Sequence, residues 1–541
     1  MYKNFTFTRK YVKIRFMIKK DQSKNRAFAT YIVLVMAVLL SKVLGLVRNM
    51  LLSNAYGTSI EASAFTAVSN FPLIIFDVTL GTAISSAFIP VFNEKLALSK
   101  DRREANKFAS NFITIVVLFT FVIVALGLLF PRAAVWIVAR GFEGEILELS
   151  IKLMRIIIPI VSFACVTFIS IGILQSYNEF IAPALVSTFS NLAMIIYFLL
   201  FNSKFGIYGL AASFLIGWIF QFLFLIPFLK KKKFKYSFTI DFKSPDIKKV
   251  IILTLPLFVA SLAQPINQLI SSNVSSTVAG TAGVSTVNYA YNAYFIVAGV
   301  FSYALTNMFF PEMSRRFANK DNEGACSICS DMLGTISTII LPVMAFMAAN
   351  AHSIIKLLYE RGEFTASDTN NVAALLMIYT LGMLLLSWQD ILCKLFYSMQ
   401  KSVIPMIAAV AGIAVNLIIA LVLTNFIGLS GLAVSTVISA FIMTLVLLLF
   451  CRKYAKSILN KSLLIELVKD VLSALAMLIV CAVINRLLYN ALPGIVGLLG
   501  TVVISFAAGA IIYLFLLFIM RSKQLGELIK IFRRRGVDDN L

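Results

Sequence analysis

Two cations and one carboxylate lie inside segments of this 541-residue chain that are apolar enough to cross a bilayer. Lys42 and Arg48 belong to the apolar run that begins at Tyr31, and Asp77 belongs to the next run. A charge at bilayer depth costs roughly 2.5–3.5 kcal/mol on insertion scales, so such residues usually face a wet cavity. Lys42 and Arg48 are less than two helical turns apart and share one side of a helix. Their spacing predicts a cavity that binds an anion, and an arginine fork suits phosphate.

The second apolar run adds the parts of a gate. Asp77 has two interpretations: it neutralises the nearby cations, or it takes part in gating or ion coupling. Pro72 is expected to bend the helix, and Gly81 and Gly45 are expected to be weak points of the same hairpin. A bent first hairpin would give an alternating cavity a movable wall.

Other polar residues within apolar segments have open interpretations. Arg155 is expected either to face the cavity or to lie at the membrane interface. Asp390 and Lys394 are four residues apart, the spacing of an ion pair on one helix face. Four amide side chains either line the cavity or form bonds between helices. They are Asn267, Gln268, Asn288 and Asn292.

The composition predicts an all-α polytopic membrane protein. The chain is 60% hydrophobic and 13% charged, with a mean hydropathy of +0.91, whereas soluble domains are about 45–50% apolar and about 25% charged. The net charge is +23. In a soluble protein this charge would indicate nucleic acid, but cations in loops on one face of a membrane protein set its topology instead. No nucleic-acid partner is expected.

Apolar runs of membrane-spanning length number about fourteen. The predicted spans are 29–52, 62–90, 108–130, 148–176, 180–201, 206–229, 248–272, 284–311, 329–349, 369–399, 402–425, 428–451, 464–488 and 494–520. Loops rich in Lys and Arg, such as 93–107 and 230–235, alternate with poor ones, such as 53–63 and 272–285. This alternation predicts that both termini are cytoplasmic.

Three pairs of similar segments recur at a nearly constant separation of 221 to 222 residues. They are 83–90 with 304–311, 140–141 with 361–362, and 205–213 with 427–435. The separation covers an even number of spans, so it predicts two parallel six-helix repeats, each in the same orientation. The predicted parts are a basic cytoplasmic arm (1–28), an N-lobe (29–235), a C-lobe (236–455), two extra helices (456–520) and a basic cytoplasmic tail (521–541).

No motif for a cofactor, metal or nucleotide is evident. The chain lacks GxxxxGK[ST] and HExxH, and Cys326 and Cys329 have no recognisable partners for a metal or redox site. The predicted cytoplasmic loops are too short for an ATPase domain. Transport would therefore be driven by a coupling ion, whose identity the sequence leaves open, or by the membrane potential.

The residues at the first hairpin resemble a known family. The pattern Ser41-Lys42-x-x-Gly45-x-x-Arg48, the turn Asn70-Phe71-Pro72 and the segment AISSAFIPVF at 83–92 look like the MurJ (MviN) lipid II flippases of the MOP superfamily. The resemblance implies an N-lobe, a C-lobe and two further helices that form a lipid-accommodating groove. It implies transfer of an undecaprenyl-pyrophosphate-linked glycopeptide lipid across the bacterial cytoplasmic membrane by a protein that works as a monomer.

The chain departs from the family pattern at several cavity positions. The family has an arginine where this chain has Lys42, commonly an arginine pair where it has Phe76 and Asp77, and an arginine where it has Asn292. Arg48 and Lys42 are therefore the cavity cations that carry over, and the resemblance implies that they hold the pyrophosphate. Spans 7 and 11 have no interior Asp or Glu for the sodium site described in the family.

Four rival functions remain at this point. Within the superfamily, the chain would export another undecaprenyl-linked oligosaccharide, or it would be a MATE-like cation-coupled drug exporter, which would favour an acidic cavity. A membrane scaffold in envelope assembly would have no need of Lys42 or Arg48. An enzyme acting on lipid precursors is the least favoured, because no loop holds an acid/base pair.

Overall fold

The structure of the protein is a computed structural model. It describes residues 39–76, 88–98, 102–250, 263–491 and 494–526, together with positions 33, 36, 37 and 252. Every regular element within these residues is a helix. The prediction of an all-α protein is confirmed for this part of the chain.

Nine helices make up the first part of the chain. They are α1 (39–56), α2 (Ile60–Phe76), α3 (Ile89–Leu98), α4 (Arg103–Leu129), α5 (Pro131–Val138), α6 (Gly144–Ile157), α7 (Ile160–Ser176), α8 (Ile181–Leu200) and α9 (Asn202–Lys231). The second part begins with α10 (245–250) and continues with α11 (Ala263–Val278), α12 (Gly280–Ala318), α13 (Asn322–Ala349), α14 (Ala351–Tyr359), α15 (Ala366–Thr380), α16 (Met383–Ser398), α17 (Val403–Ile427) and α18 (Ser430–Tyr454). The last two long helices are α19 (Lys461–Ala491) and α20 (Gly494–Ile519).

The long helices are those of a multi-pass membrane protein. Among the described residues, nine helical segments are long and apolar enough to span a bilayer, or ten if α15 and α16, which meet at a bend of 44°, form one span. They coincide with ten of the predicted spans. Predicted spans 29–52, 62–90 and 248–272 lie partly outside the described residues, and 284–311 lies within the 39-residue α12. The count of fourteen stays a prediction.

The outer surface of the bundle is apolar where it would meet lipid. Large hydrophobic side chains are exposed along α4, such as Phe119, Phe121 and Val122, and along α17, such as Ile418 and Val422. A soluble protein would bury these side chains, whereas a bilayer accepts them and leaves the backbone satisfied inside each helix. Helices α4 and α17 therefore lie at the lipid boundary.

The buried apolar residues form two large cores and one small one. Residues between Leu52 and Val250, with Val284, make up the first core, and residues between Ile270 and Leu463 make up the second. We call the parts of the chain around these cores the first half and the second half. A smaller cluster, which includes Met477 and Tyr513, packs α19 and α20 against α13.

Helices α1 and α2 run without a break through two of the residues expected to bend them. At Gly45 an added Cβ would lie 3.7 Å from Asn191 Nδ2, so this glycine faces α8 closely. Asn191 Nδ2 also donates to the carbonyl of Ser41 at 3.1 Å. Pro72 is buried within α2. Gly81 lies outside the described residues, and the bending role of all three residues stays a prediction.

Two pairs of residues 222 positions apart share an uncommon backbone conformation. Asn178 and Gln400, which follow α7 and α16, have φ values of 56° and 58°. Gly206 has φ 54° and ψ −150°, and Gly428 has φ 57° and ψ −140°. Residues with a Cβ rarely adopt the conformation of this second pair, so glycine is required at both positions.

Candidate functional site

One end of the bundle joins the two halves by direct hydrogen bonds. The hydroxyls of Ser63 on α2 and Ser285 on α12 lie 2.9 Å apart. Tyr289 on α12 donates its hydroxyl to the carbonyl of Gly57 at 3.1 Å, and Thr58 donates to Asp368 Oδ1 on α15 at 2.5 Å. We call this end, defined by the α1–α2 turn and the start of α12, the closed end.

Two loops at the closed end cross from one half to the other. In the loop after α5, the backbone N–H of Arg140 donates to Asn273 Oδ1 and that of Gly141 donates to Ser276 Oγ, both at 3.0 Å. Gly141 is required here because an added Cβ would lie 2.6 Å from the carbonyl oxygen of Ser276 on α11.

The loop after α14 makes the converse contact. The backbone N–H of Glu363 donates to the carbonyl of Asn54 on α1 at 3.1 Å. A Cβ on Gly362 would collide with the same carbonyl oxygen. Each half therefore sends a loop to a long helix of the other half, and the closed end is fastened from both sides.

Next to this closed end lies a cavity of about 70 Å³, most of whose lining residues are polar. Its walls come from α2, α11, α12, α16 and α18. The side chains that line it are Asn70, Gln264, Asn267, Gln268, Ser271, Ser272, Ser275, Val284, Val287, Asn288, Tyr291, Tyr294, Leu386, Gln389, Thr436, Ser439, Ala440 and Met443. Amides and hydroxyls predominate, and no Lys, Arg, Asp or Glu is among these residues.

Helical periodicity explains how α11 presents its polar wall. Gln264, Asn267 or Gln268, Ser271 and Ser275 recur at intervals of three or four residues and so lie along one face of the helix. The sequence contains this stripe, but its hydroxyl members carry no charge and lie in a span that reads as apolar overall. The recurrence of polar side chains at helical spacing is the sequence signal that could have identified this cavity wall.

Hydrogen bonds to side chains and to the backbone orient several lining amides. Asn416 Nδ2 on α17 donates to Asn267 Oδ1 at 2.9 Å, and Tyr291 donates its hydroxyl to Gln264 Oε1 at 2.9 Å. Gln389 Nε2 donates to the carbonyl of Ala440 at 2.7 Å. These bonds hold the amides in place, so the cavity presents a pre-oriented set of neutral donors and acceptors.

The predicted amide residues are found at the cavity or next to it. Asn267, Gln268 and Asn288 line it, and Asn292 Nδ2 donates to Asn288 Oδ1 at 2.7 Å. Both interpretations apply to Asn267, which lines the cavity and accepts a hydrogen bond from Asn416 of α17, whereas the bond between Asn288 and Asn292 lies within α12. Asn292 supports the wall through Asn288.

The predicted cations lie outside the lining of this cavity. Lys42 is exposed on α1, and Arg155 is exposed on α6. Arg48 is partly buried, and its Nε and Nη2 donate to Asn49 Oδ1 at 3.2 and 3.0 Å. The binding roles of these cations stay predictions, and Asp77 lies outside the described residues.

In the predicted pair on α16, the lysine lies over an aromatic ring of α12. Lys394 Nζ lies 5.0 Å from the centre of the Phe310 ring, in a cation–π arrangement. Asp390 is exposed on the same helix. Their mutual ion pair stays a prediction.

Ion pairs join α3 to α10 elsewhere in the bundle. Lys95 Nζ lies 2.9 Å from Asp246 Oδ2, and Lys249 Nζ lies 2.6 Å from Glu94 Oε2. The adjacent residues Glu94 and Lys95 of α3 have opposite charges, and each pairs with a residue of opposite charge on α10. These two pairs hold the end of α3 against α10, whose Ile247 and Val250 belong to the first core.

Long lipid-facing helices, two apolar halves fastened at one end and a polar cavity beside that fastening define a membrane transporter. A solved structure shares this fold. A multidrug MATE transporter of the MOP superfamily, in its inward-facing conformation, matches with a TM-score of 0.66 and 16% identity, over 79% of this chain and 98% of the other.

Sequence comparisons identify the family within this class. The family model for the lipid II flippase MurJ matches residues 52–529, so the chain belongs to the MurJ family. A probable lipid II flippase MurJ of Rickettsia prowazekii is 28% identical over 76% of this chain and 81% of its own length. The lipid II flippase MurJ of Burkholderia cenocepacia is 26% identical over 77% of this chain and 82% of its own. A solved lipid II flippase MurJ in its inward closed conformation matches with a TM-score of 0.77 and 27% identity, over 90% and 98% of the two chains.

Proposed function

We propose that the protein transfers lipid II, the lipid-linked peptidoglycan precursor, from the inner to the outer leaflet of the bacterial cytoplasmic membrane by alternating access. The observation that carries this proposal is the polar cavity beside the closed end, in a chain of the MurJ family. The family is one of transporters, and no catalytic step is assigned to this chain.

Once the halves move apart and the cavity widens, its neutral lining suits the sugar and peptide part of the cargo. Hydroxyl and amide groups of a glycopeptide exchange hydrogen bonds with amides and hydroxyls of the wall, while the lipid tail stays in the bilayer. Because many weak polar contacts are used, the cargo is released again once the cavity faces the other side. Opening of the closed end would give the outer leaflet access to the same cavity.

Arg48 and Lys42 are the proposed partners of the pyrophosphate. A guanidinium has five N–H donors, and Arg48 uses two of them on Asn49, so three stay available for an anion. Lys42 is exposed, forms no hydrogen bond within the described part of the chain and is free to turn towards a phosphate. Arg155 and Asn292 complete the proposed substrate-binding set, and Asp77 is proposed to modulate their charge.

The proposed architecture is two parallel six-helix repeats, 29–235 and 236–455, followed by two helices in 456–520. The matched backbone conformations at Asn178 and Gln400 and at Gly206 and Gly428 support it, because both pairs are 222 residues apart. Both termini are proposed to be cytoplasmic, and the protein is proposed to act as a monomer. The driving force is a coupling ion or the membrane potential.

Complementation of a flippase-depleted bacterium tests both cargo and anion site. The wild type is expected to restore growth, and Arg48→Ala is expected to abolish it. The matched control is Arg486→Ala, which removes an exposed arginine of α19. A correctly inserted wild type that fails to restore growth would exclude lipid II as the cargo. Normal growth with Arg48→Ala would exclude the proposed anion site but would not contradict lipid II as the cargo.

An assay in lipid vesicles separates lipid II from other undecaprenyl-linked glycans. Purified protein is expected to transfer fluorescent lipid II faster than an undecaprenyl-pyrophosphate glycan that lacks the peptide. Equal rates would favour the broader oligosaccharide exporter. A cationic drug exporter is disfavoured because the cavity lining includes no carboxylate.

A further inference from the structure

Helices α19 and α20 are attached to α13 and α14 by polar contacts along their length. Near one end Asn460 Nδ2 donates to Ser330 Oγ at 3.1 Å, and towards the other end Ser353 donates to Asn485 Oδ1 at 3.0 Å. Asn350 Nδ2 donates to Ser505 Oγ at 3.1 Å. The two helices are therefore fastened to the second half and do not merely lie beside it.

A fully buried carboxyl group lies in the middle of this contact. Asp470 of α19 has no exposed surface. Its Oδ2 is 2.9 Å from Thr338 Oγ1 of α13, and its Oδ1 is 3.4 Å from the Tyr513 hydroxyl of α20. One carboxylate with two hydroxyls is a poor ligand set for a metal ion, so a proton is the ligand that fits.

A proline determines what Tyr513 does in this cluster. Pro342 lies inside α13 and has no N–H, so the carbonyl of Thr338, four residues earlier, lacks its usual helical donor. Tyr513 supplies that donor with a hydroxyl 2.9 Å from the Thr338 carbonyl oxygen. The single proton of Tyr513 is therefore committed to the backbone of α13.

The number of available hydroxyl protons indicates that Asp470 is protonated. With Tyr513 committed, Thr338 is the one remaining hydroxyl donor, and it is also 3.1 Å from the carbonyl oxygen of Gly334. An ionised Asp470 would thus have at most one hydrogen bond for two buried oxygens, which is costly in a dry site. A protonated Asp470 instead donates to Tyr513 or Thr338 and satisfies the cluster.

The charged groups around Asp470 are already paired with one another. On its own helix Lys469 Nζ lies 2.7 Å from Glu466 Oε1. After α20, Ser522 Oγ and the backbone N–H of Lys523 both donate to Glu466 Oε2, at 2.7 and 3.0 Å. On α13 the nearest carboxylate is Asp331, which pairs with Lys523 at 3.4 Å. None of these recorded pairs gives Asp470 a cation.

We propose that Asp470, Thr338 and Tyr513 form a proton-binding site inside the membrane, separate from the cargo cavity. With the proton on Asp470, Tyr513 supports the carbonyl that Pro342 leaves free, and α13, α19 and α20 stay packed together. When the proton leaves to solvent, Tyr513 turns its hydroxyl to the new carboxylate, and α13 loses its support at the proline. The site then couples proton release to bending of α13. Its effect on transport rests on the proposed function, whereas proton binding does not.

Infrared spectroscopy of the purified full-length protein in lipid nanodiscs tests the site directly. The absorption of a protonated carboxyl group is expected at pH 7 in the wild type and is expected to disappear in Asp470→Asn. Asparagine keeps a donor and an acceptor in place, so this variant is expected to fold. Glu466→Gln is the matched control one turn away on α19, and it is expected to keep the absorption because Glu466 forms its own ion pair with Lys469.

Two outcomes would overturn the proposal: no protonated carboxyl in the folded wild type at pH 7, or an absorption that persists in Asp470→Asn. Transport in vesicles supplies the second readout. The rate of the wild type is expected to change with pH by severalfold more than that of Asp470→Asn, and identical pH profiles would refute the coupling. Absence of any lipid II transfer by the wild type would count against the proposed function. The infrared measurement does not depend on transport, so it would still decide whether the proton site exists.

Discussion

The hydroxyls of Ser63 and Ser285 lie 2.9 Å apart and belong to residues separated by 222 positions. This is the separation at which the backbone conformations of Gly206 and Gly428 also match. Two equivalent residues of a repeat touch each other only near the axis that relates the copies. The contact therefore supports an axis between α2 and α12, with Asn70 about 10 Å further along α2 at the cavity.

A covalent bond across this contact is expected to stop transport. In Ser63→Cys/Ser285→Cys the closed end would be locked, so oxidation is expected to reduce lipid II transfer at least tenfold and reductant is expected to restore it. The measurement is transfer in vesicles before and after oxidation. The control is Ser41→Cys/Thr188→Cys, whose parent hydroxyls are also 2.9 Å apart but lie within the first half. Full activity of the oxidised Ser63/Ser285 variant would show that this end does not open.

Gly362→Ala is expected to weaken the closed end. Its φ of 57° is unfavourable for alanine by about 1 kcal/mol, and the new methyl group would in addition collide with the Asn54 carbonyl. We expect a larger loss of thermal stability than in Gly144→Ala. Gly144 has the same φ of 57° and nothing within 4 Å of the added Cβ. Equal melting temperatures for the two variants would contradict the close contact between the loop and α1.

Reversal of one charge between α3 and α10 is expected to be harmful, and exchange of both charges is expected to be tolerated. Lys95→Asp places two carboxylates together, whereas Lys95→Asp/Asp246→Lys restores a pair. Since surface ion pairs contribute about 0.2–1 kcal/mol each and this pair is partly buried, the effect is expected to be modest and to shrink only in part in high salt. A double-mutant cycle of thermal stability at two salt concentrations measures it. Additive effects of the two substitutions would show that the pair makes no net contribution.

Asn267→Asp is expected to impair binding of an anionic lipid. A negative charge in the cavity wall would repel a pyrophosphate, and a loss of about 1.4 kcal/mol already lowers affinity tenfold. We expect at least that loss for lipid II in a binding assay at neutral pH. Asn425→Asp is the control, because Asn425 is exposed on α17 and absent from the cavity lining. Equal affinities for both variants would remove this cavity from the path of the cargo.

Much of the fold follows from local properties of the sequence. Apolar runs predict the helices because each span must satisfy its own backbone in lipid. The recurrence of Arg140-Gly141 at Arg361-Gly362 marks two loops that turn out to contact opposite halves. Their partners, Asn54 and Ser276, have no motif, because contacts between distant segments depend on how the helices pack.

The site was harder to predict than the fold. Charged residues in apolar runs draw attention to Lys42 and Arg48, yet the cavity wall consists of neutral side chains from five helices. The stripe on α11 is visible in the sequence, whereas Gln389 and Thr436 reach the same cavity only through packing of α16 and α18. Asp470 likewise lies near the start of a span among other charges, and its complete burial results from α13 and α20 together.

The two crossing loops interlock the halves at the closed end, because each half contributes one loop that contacts the other. The loop after α5 is hydrogen-bonded to α11, and the loop after α14 is hydrogen-bonded to α1. The two halves therefore cannot separate while either loop contact is intact. Breaking one loop contact alone would leave its backbone N–H groups without acceptors, while the other loop contact would still hold the halves together. Separation is therefore expected to be a concerted, switch-like event and not a gradual widening.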